Sequence, residues 1–253
     1  MKLQHRILGE GKPLIILHGL FGSADNWLTH AKHFSEYFQV ILVDQRNHGH
    51  SPWSDDFNYE ILAADLFELI TDLNLTKVNL LGHSMGGKTV LRFAQKHSDL
   101  IEKAIVVDMG IKAYPLHHQQ ILAGIHAVNQ SPMNARALAE EILQQFVPEI
   151  GTRQFLLKNL YWIEKGKLAW RMNTSVLEAR MNEILCAMPE IETFVEILFI
   201  KGGLSQYILD EDQDSIEHSF PLAEFVTIEQ AGHWVHAEKP EEFANTVLEY
   251  LLR

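Results

Sequence analysis

Ser84 sits at the centre of Gly82-His83-Ser84-Met85-Gly86, and its neighbours say what chemistry it could do. A serine hydroxyl becomes a nucleophile when three conditions meet. A tight turn must project it, a nearby base must take its proton, and backbone N–H groups must receive the charge of the attacked carbonyl oxygen. Glycines two positions to either side let a strand and a helix meet at such a turn without side-chain clash. The N–H of Met85 would be one oxyanion donor. A base is available in Ala231-Gly232-His233-Trp234. The same stretch also reads a second way. Gly82-x-x-x-x-Gly87-Lys88-Thr89 fits a phosphate-binding loop, and Ile105-Val106-Val107-Asp108 fits an apolar strand whose aspartate holds magnesium.

The elements that must position these residues follow from hydrophobic periodicity. Short apolar runs at 13–17, 40–44, 78–81, 104–108, 196–200 and 225–228 read as buried strands. Between them, helical spacing is expected over 26–37, 59–74 and the segment after Ser84, and a last helix starts at Pro240. Near-continuous apolar strands alternating with helices imply a mostly parallel, doubly wound α/β sheet covered on both faces. From 111 to 191 the strand signal disappears. Helices are expected there over 119–128, 135–146, 153–163 and 175–185, punctuated by Pro115, Pro132, Pro148 and Gly166. The expected organisation is thus a core of residues 1–110 and 192–253, with a helical cap of 111–191 inserted after the sixth strand. Such a cap lies above the carboxyl ends of the strands, where α/β sheets bind ligands.

Composition excludes several function classes. The 253 residues are 47% hydrophobic and 21% charged, with a formal net charge of −12 and no basic cluster. Nucleic acid is therefore a poor partner, and anionic membrane surfaces are disfavoured. No run approaches the roughly 20 apolar residues of a membrane span, and the first residues lack a secretory pattern. The lone Cys186 fits a reducing compartment, so a cytoplasmic location is expected. Separately, a monomer or weak homodimer is expected. His30 and His33 have helical ligand spacing, and His117-His118 form a pair, but neither group has a third ligand. No metal and no cofactor are expected.

Over its whole length the chain resembles the α/β-hydrolases. The matching segments are His18-Gly19-Leu20-Phe21-Gly22, Asp44-Gln45-Arg46-Asn47-His48-Gly49-His50-Ser51, the Ser84 turn and Gly232-His233-Trp234. Within that family, Asn47-His48-Gly49, Gly82-His83-Ser84-Met85-Gly86-Gly87-Lys88 and the stretch from Gly232 to Pro240 are similar to small bacterial esterases of the YbfF type. The resemblance implies a serine, acid, histidine order along the chain, with Ser84 as nucleophile and His233 as base. It places the second oxyanion donor at Leu20 beside Met85, and it reads Gly-Gly-Lys after the serine as a helix start rather than a phosphate loop. Many α/β-hydrolases carry the acid after the strand at 197–200, but here that turn is Lys201-Gly202-Gly203-Leu204-Ser205. Asp210, beyond it, lies in an acidic run. Asp108 ends a buried strand next to the nucleophile strand, and the YbfF-type resemblance points to it too. Asp108 is the expected acid and Asp210 the alternative. Phe21, Trp170 and Trp234 are expected to contact substrate, an acyl ester of short to medium length or an acyl-CoA thioester. A carbon–carbon bond hydrolase or a non-turnover ligand receptor would keep the same three residues.

Overall fold

A computed structural model describes residues 1–116 and 118–253. Seven strands form one sheet in the order β1-β3-β2-β4-β5-β8-β9. They are β1 (His5–Leu8), β2 (Pro13–Leu17), β3 (Gln39–Val43), β4 (Val78–His83), β5 (Ile101–Val107), β8 (Ile197–Gly202) and β9 (Ala223–Ile228). Every pairing is parallel except that of β1 with β3. Strand alternation divides the apolar side chains between two cores. Ile15, Leu17, Ile41, Val43 and Leu80 face one, while Leu14, Ile16, Val40, Leu42 and Leu81 face the other. The first core is covered by α2 (Tyr59–Asp72), α3 (Met85–His97) and α9 (Gln213–Ser219). The second is covered by α1 (Leu28–Phe34) and α11 (Pro240–Leu252), with α10 (Val235–Glu238) leading into the latter.

The insertion follows the fifth strand along the chain, not the sixth, because a single antiparallel edge strand precedes β2. It contains α4 (Gln119–Asn129), α5 (Arg136–Gln144), α6 (Ile150–Leu157), α7 (Thr174–Ala179) and α8 (Met181–Leu185). It is not wholly helical. The expected helix over 153–163 stops at Leu157, and an antiparallel hairpin follows, β6 (Leu160–Glu164) and β7 (Lys167–Trp170). Tyr161, Trp162 and Ile163 favour extended backbone, and Lys165-Gly166 makes the two-residue turn. The helix expected over 175–185 breaks at Arg180 into α7 and α8.

Candidate active site

Ser84 leaves β4 with φ 53° and ψ −118°, a conformation that disfavours any residue carrying a Cβ. The fold holds it there. The Ser84 N–H donates to the Val107 carbonyl at 3.1 Å, and the Ser84 carbonyl accepts from the Lys88 N–H at 3.1 Å. The flanking glycines are required by close approach. A Cβ on Gly82 would lie 2.2 Å from the Gly86 carbonyl oxygen, and one on Gly86 would lie 2.4 Å from that of Leu17. Met85 is the first residue of α3, so its N–H has no carbonyl four residues back within the helix and points out of the helix start.

His233 and Asp108 meet at the same sheet edge. Nδ1 of His233 lies 2.8 Å from Oδ2 of Asp108, which is fully buried. Asp108 itself has φ 48° and is anchored through its N–H to the Ile200 carbonyl at 2.8 Å. Its other carboxylate oxygen accepts the Gly202 N–H at 3.0 Å, and Oδ2 also accepts the Ser205 hydroxyl. The turn after β8 therefore supplies donors to a carboxylate that comes from β5. The proton on Nδ1 leaves Nε2 of His233 as the basic nitrogen. The imidazole and its loop are both held in place. Tyr207 stacks on it with centroids 3.8 Å apart, and the Nε2–H of His83 donates to the His233 carbonyl at 2.9 Å. Glu238 accepts the N–H groups of Gly232 and Trp234 at 2.8 and 3.2 Å, closing the loop. Burial holds His83 well below the usual histidine range, so it is neutral.

The loop carrying Leu20 is set by two more buried neutral histidines. Nε2 of His18 accepts the Gln45 N–H at 3.0 Å, so Nδ1 carries the proton and donates to the Gly19 carbonyl at 2.8 Å. Nε2 of His48 accepts the Phe21 N–H at 3.2 Å, and its Nδ1–H donates to the Arg46 carbonyl at 2.9 Å. Burial lowers His18 to about 4; His48 goes to about 3, by burial first and then by the neighbouring His18. Arg46 grips Asp65 through two hydrogen bonds, at 2.6 and 2.9 Å, and is buried away from the site. Phe21 has φ 59°, and its carbonyl accepts Nδ2–H of the cap residue Asn159 at 2.7 Å.

Two cavities meet at Ser84. The outer one, of about 280 Å³, is lined by Leu20, Phe21, Ser84, His233, Trp234 and Phe155 among others. The inner one, of about 10 Å³, lies between Leu20, Ser84, Met85, Met109, Tyr59 and Tyr114. Of the aromatic residues expected near substrate, Phe21 and Trp234 line the outer cavity. Trp170 lines neither; on β7 it pairs with Leu160 in the cap core, where its alternating face of the hairpin points. Asp210 has a side chain that is 92% exposed and pairs with Lys201 at 2.6 Å. His30 donates to the His236 carbonyl at 2.8 Å. His117 lies outside the described residues. Among the described residues, no three histidine, cysteine, aspartate or glutamate side chains converge as metal ligands. The phosphate-loop reading fails on Lys88, whose ammonium is buried against the carbonyls of Lys112 and Cys186 instead of facing a cavity. Sequence reasoning missed the parts played by Ser205, Tyr207 and Glu238, although Ser205 and Glu238 lay in stretches already singled out.

The sequence matches the model of the alpha/beta hydrolase fold over residues 12–147. It is 37% identical over 244 residues to the esterase YbfF of Escherichia coli strain K12, covering 96% of this chain and 94% of that protein. It is 38% identical over 247 residues to the mouse sn-1-specific diacylglycerol lipase ABHD11, covering 94% of this chain and 80% of the other. Among solved structures, a marine microorganism esterase superposes with a TM-score of 0.95 at 42% identity, covering 98% of both chains. Among the described residues, no helix is long and apolar enough to cross a membrane.

Proposed function

The chain belongs to the α/β-hydrolase family, and among its esterases we propose that it is a serine carboxylic-ester hydrolase using Ser84, His233 and Asp108 on acyl esters of short to medium length. The observation that carries this reading is the Asp108–His233 hydrogen bond at 2.8 Å beside a cavity that Ser84 and His233 share. In the first half-reaction, Nε2 of His233 takes the Ser84 hydroxyl proton as Oγ attacks the ester carbonyl. Asp108 accepts the Nδ1–H, fixes the tautomer and stabilises the imidazolium. The N–H groups of Leu20 and Met85 receive the oxyanion, each worth on the order of 3 kcal/mol in the transition state. The imidazolium then protonates the departing alcohol, leaving an acyl-enzyme. In the second half-reaction, water loses a proton to Nε2, attacks the acyl carbonyl and releases the acid and Ser84. Thioesters fit the same steps with a thiol leaving. A cytoplasmic setting belongs to this reading, supported by the lone Cys186.

The test is the hydrolysis of p-nitrophenyl esters of increasing acyl length, together with acyl-CoA thioesters. Ser84→Ala is expected to lower kcat by about 10⁴-fold or more while leaving the thermal unfolding midpoint in place. Undiminished turnover in that variant would end the assignment. Turnover on esters but not on thioesters would fix the leaving-group class.

A further inference from the structure

Lys88 is one helical turn beyond Ser84, and it is fully buried. Its ammonium is the meeting point of both strands that connect cap to core. Nζ–H donates to the Lys112 carbonyl on the segment leaving β5, at 2.9 Å, and to the Cys186 carbonyl on the segment leaving α8. It also sits over two aromatic faces, 4.8 Å from the Tyr114 centroid and 5.9 Å from that of Tyr59. These two rings are walls of the inner cavity. Further bonds leave them little freedom. The Tyr59 hydroxyl donates to the Ile184 carbonyl at 2.8 Å, and the Tyr114 hydroxyl donates to that of Tyr207 at 2.8 Å. The N–H of Tyr114 donates to the Leu185 carbonyl at 2.9 Å.

The chemistry decides what the inner cavity receives. The leaving alcohol must take its proton from His233, which lines the outer cavity and not the inner one. The alcohol side of the ester therefore lies outward, and the acyl side turns inward past Leu20 and Met85. At about 10 Å³ the inner cavity holds little more than a group the size of one water molecule or a methyl. Resting on the hydrolase reading above, we propose that Lys88 is a positioning residue that sets acyl-length selectivity. By pinning both cap connections and the Tyr59 and Tyr114 rings, it keeps the acyl recess small and biases hydrolysis toward the short end of the short-to-medium acyl range. Burial lowers Lys88 to about 8, so the ammonium is predominantly charged at neutral pH, as the cation–π contacts require.

The experiment compares kcat/KM for p-nitrophenyl acetate and octanoate in wild type and Lys88→Met, normalised to active sites titrated with a serine-reactive phosphonate. Wild type is expected to favour acetate. Lys88→Met is expected to shift the acetate-to-octanoate ratio at least about tenfold toward octanoate, carried mainly by KM, because a mobile wall admits further methylenes. A variant that only lost folded protein would lower both substrates alike and leave the titrated ratio unmoved; an unchanged ratio overturns the proposal. Lys88→Gln, which keeps an N–H donor without the charge, carries the same test should the apolar variant not fold. The hydrolase reading fails separately, by absence of Ser84-dependent turnover in wild type. Selectivity is then read from thermal stabilisation by alkylboronic acids of two and eight carbons. The same wild-type preference for the short acid, weakened in Lys88→Met, supports the proposal, and an identical difference in both proteins overturns it.

Discussion

Asp108 accepts three hydrogen bonds while buried from solvent, two from the turn after β8 (Gly202 and Ser205) and one from His233. A carboxylate so held cannot turn away from the imidazole. In Asp108→Asn the amide would offer a donor or a weaker acceptor to Nδ1, favouring the tautomer in which Nε2 carries the proton and cannot serve as base. The expected result is a loss of about 10⁴-fold in kcat, read by steady-state kinetics on a p-nitrophenyl ester. Asp210→Asn, on an exposed side chain paired with Lys201, is expected to change kcat less than about twofold. The reverse pattern would move the acid to Asp210. Ser84 and His233 were legible because each lies in a short local motif. Asp108 was legible as a carboxylate at the end of the apolar strand next to the nucleophile strand. Ser205 and Tyr207 were not, because what makes them matter is a contact with a residue far along the chain, and no local pattern encodes it.

Elements were readable in proportion to how fully they are buried. The inner strands β2, β3, β4, β5 and β8 are apolar runs, and α2 and α11 carry clear helical spacing, the latter with a starting signal at Pro240. The edge strand β1 escaped notice because one of its faces is open and it carries His5 and Arg6. The cap misled for a different reason. Leu156, Leu160 and Ile163 have helical spacing by coincidence, while Lys165-Gly166 marks the turn that makes Leu160 and its successors a strand. The junction between α6 and that hairpin carries a consequence for activity. Asn159 sits there and donates to the Phe21 carbonyl at 2.7 Å, tying the cap to the loop that presents Leu20. Asn159→Ala would leave the Phe21 carbonyl without that donor, at a cost of about 1–3 kcal/mol in stability. The loosened loop should also lower kcat by about tenfold with KM little changed, because in the proposed mechanism the Leu20 N–H acts on the transition state. Thermal unfolding and phosphonate-titrated kinetics check both effects; an unaltered kcat would mean that the core holds this loop without the cap.

At the scale of the whole molecule, the site is a seam between cap and core, and a set of buried histidines holds the core side of that seam. His18 and His48 fix the Leu20 loop, while His236 stacks on Trp27 at 4.3 Å beneath the His233 loop. Burial is the leading cause that keeps all three neutral, lowering His18 to about 4 and His48 and His236 to about 3. The unfolded chain would protonate the same residues near pH 6.5. Below that pH the unfolded state binds protons that the folded state refuses, so stability falls as pH drops from about 6.5 toward 4. The slope approaches on the order of 1 kcal/mol per pH unit for each histidine. Glu60, whose partners Lys96 and Arg92 hold it below the usual glutamate range, begins to contribute only at lower pH, so it adds little to the change between pH 6.5 and 5. The thermal midpoint, measured at fixed ionic strength, is therefore expected to drop by several degrees between pH 6.5 and 5. His236→Phe keeps the ring on Trp27 and removes one titrating group, whose Nδ1 has no hydrogen-bond partner among the described residues. It should reduce the slope by about a third of the three-histidine contribution. A midpoint flat across that range in the wild-type protein would show that these histidines are protonated in the fold, and that the Leu20 loop is held by something other than their neutral ring nitrogens.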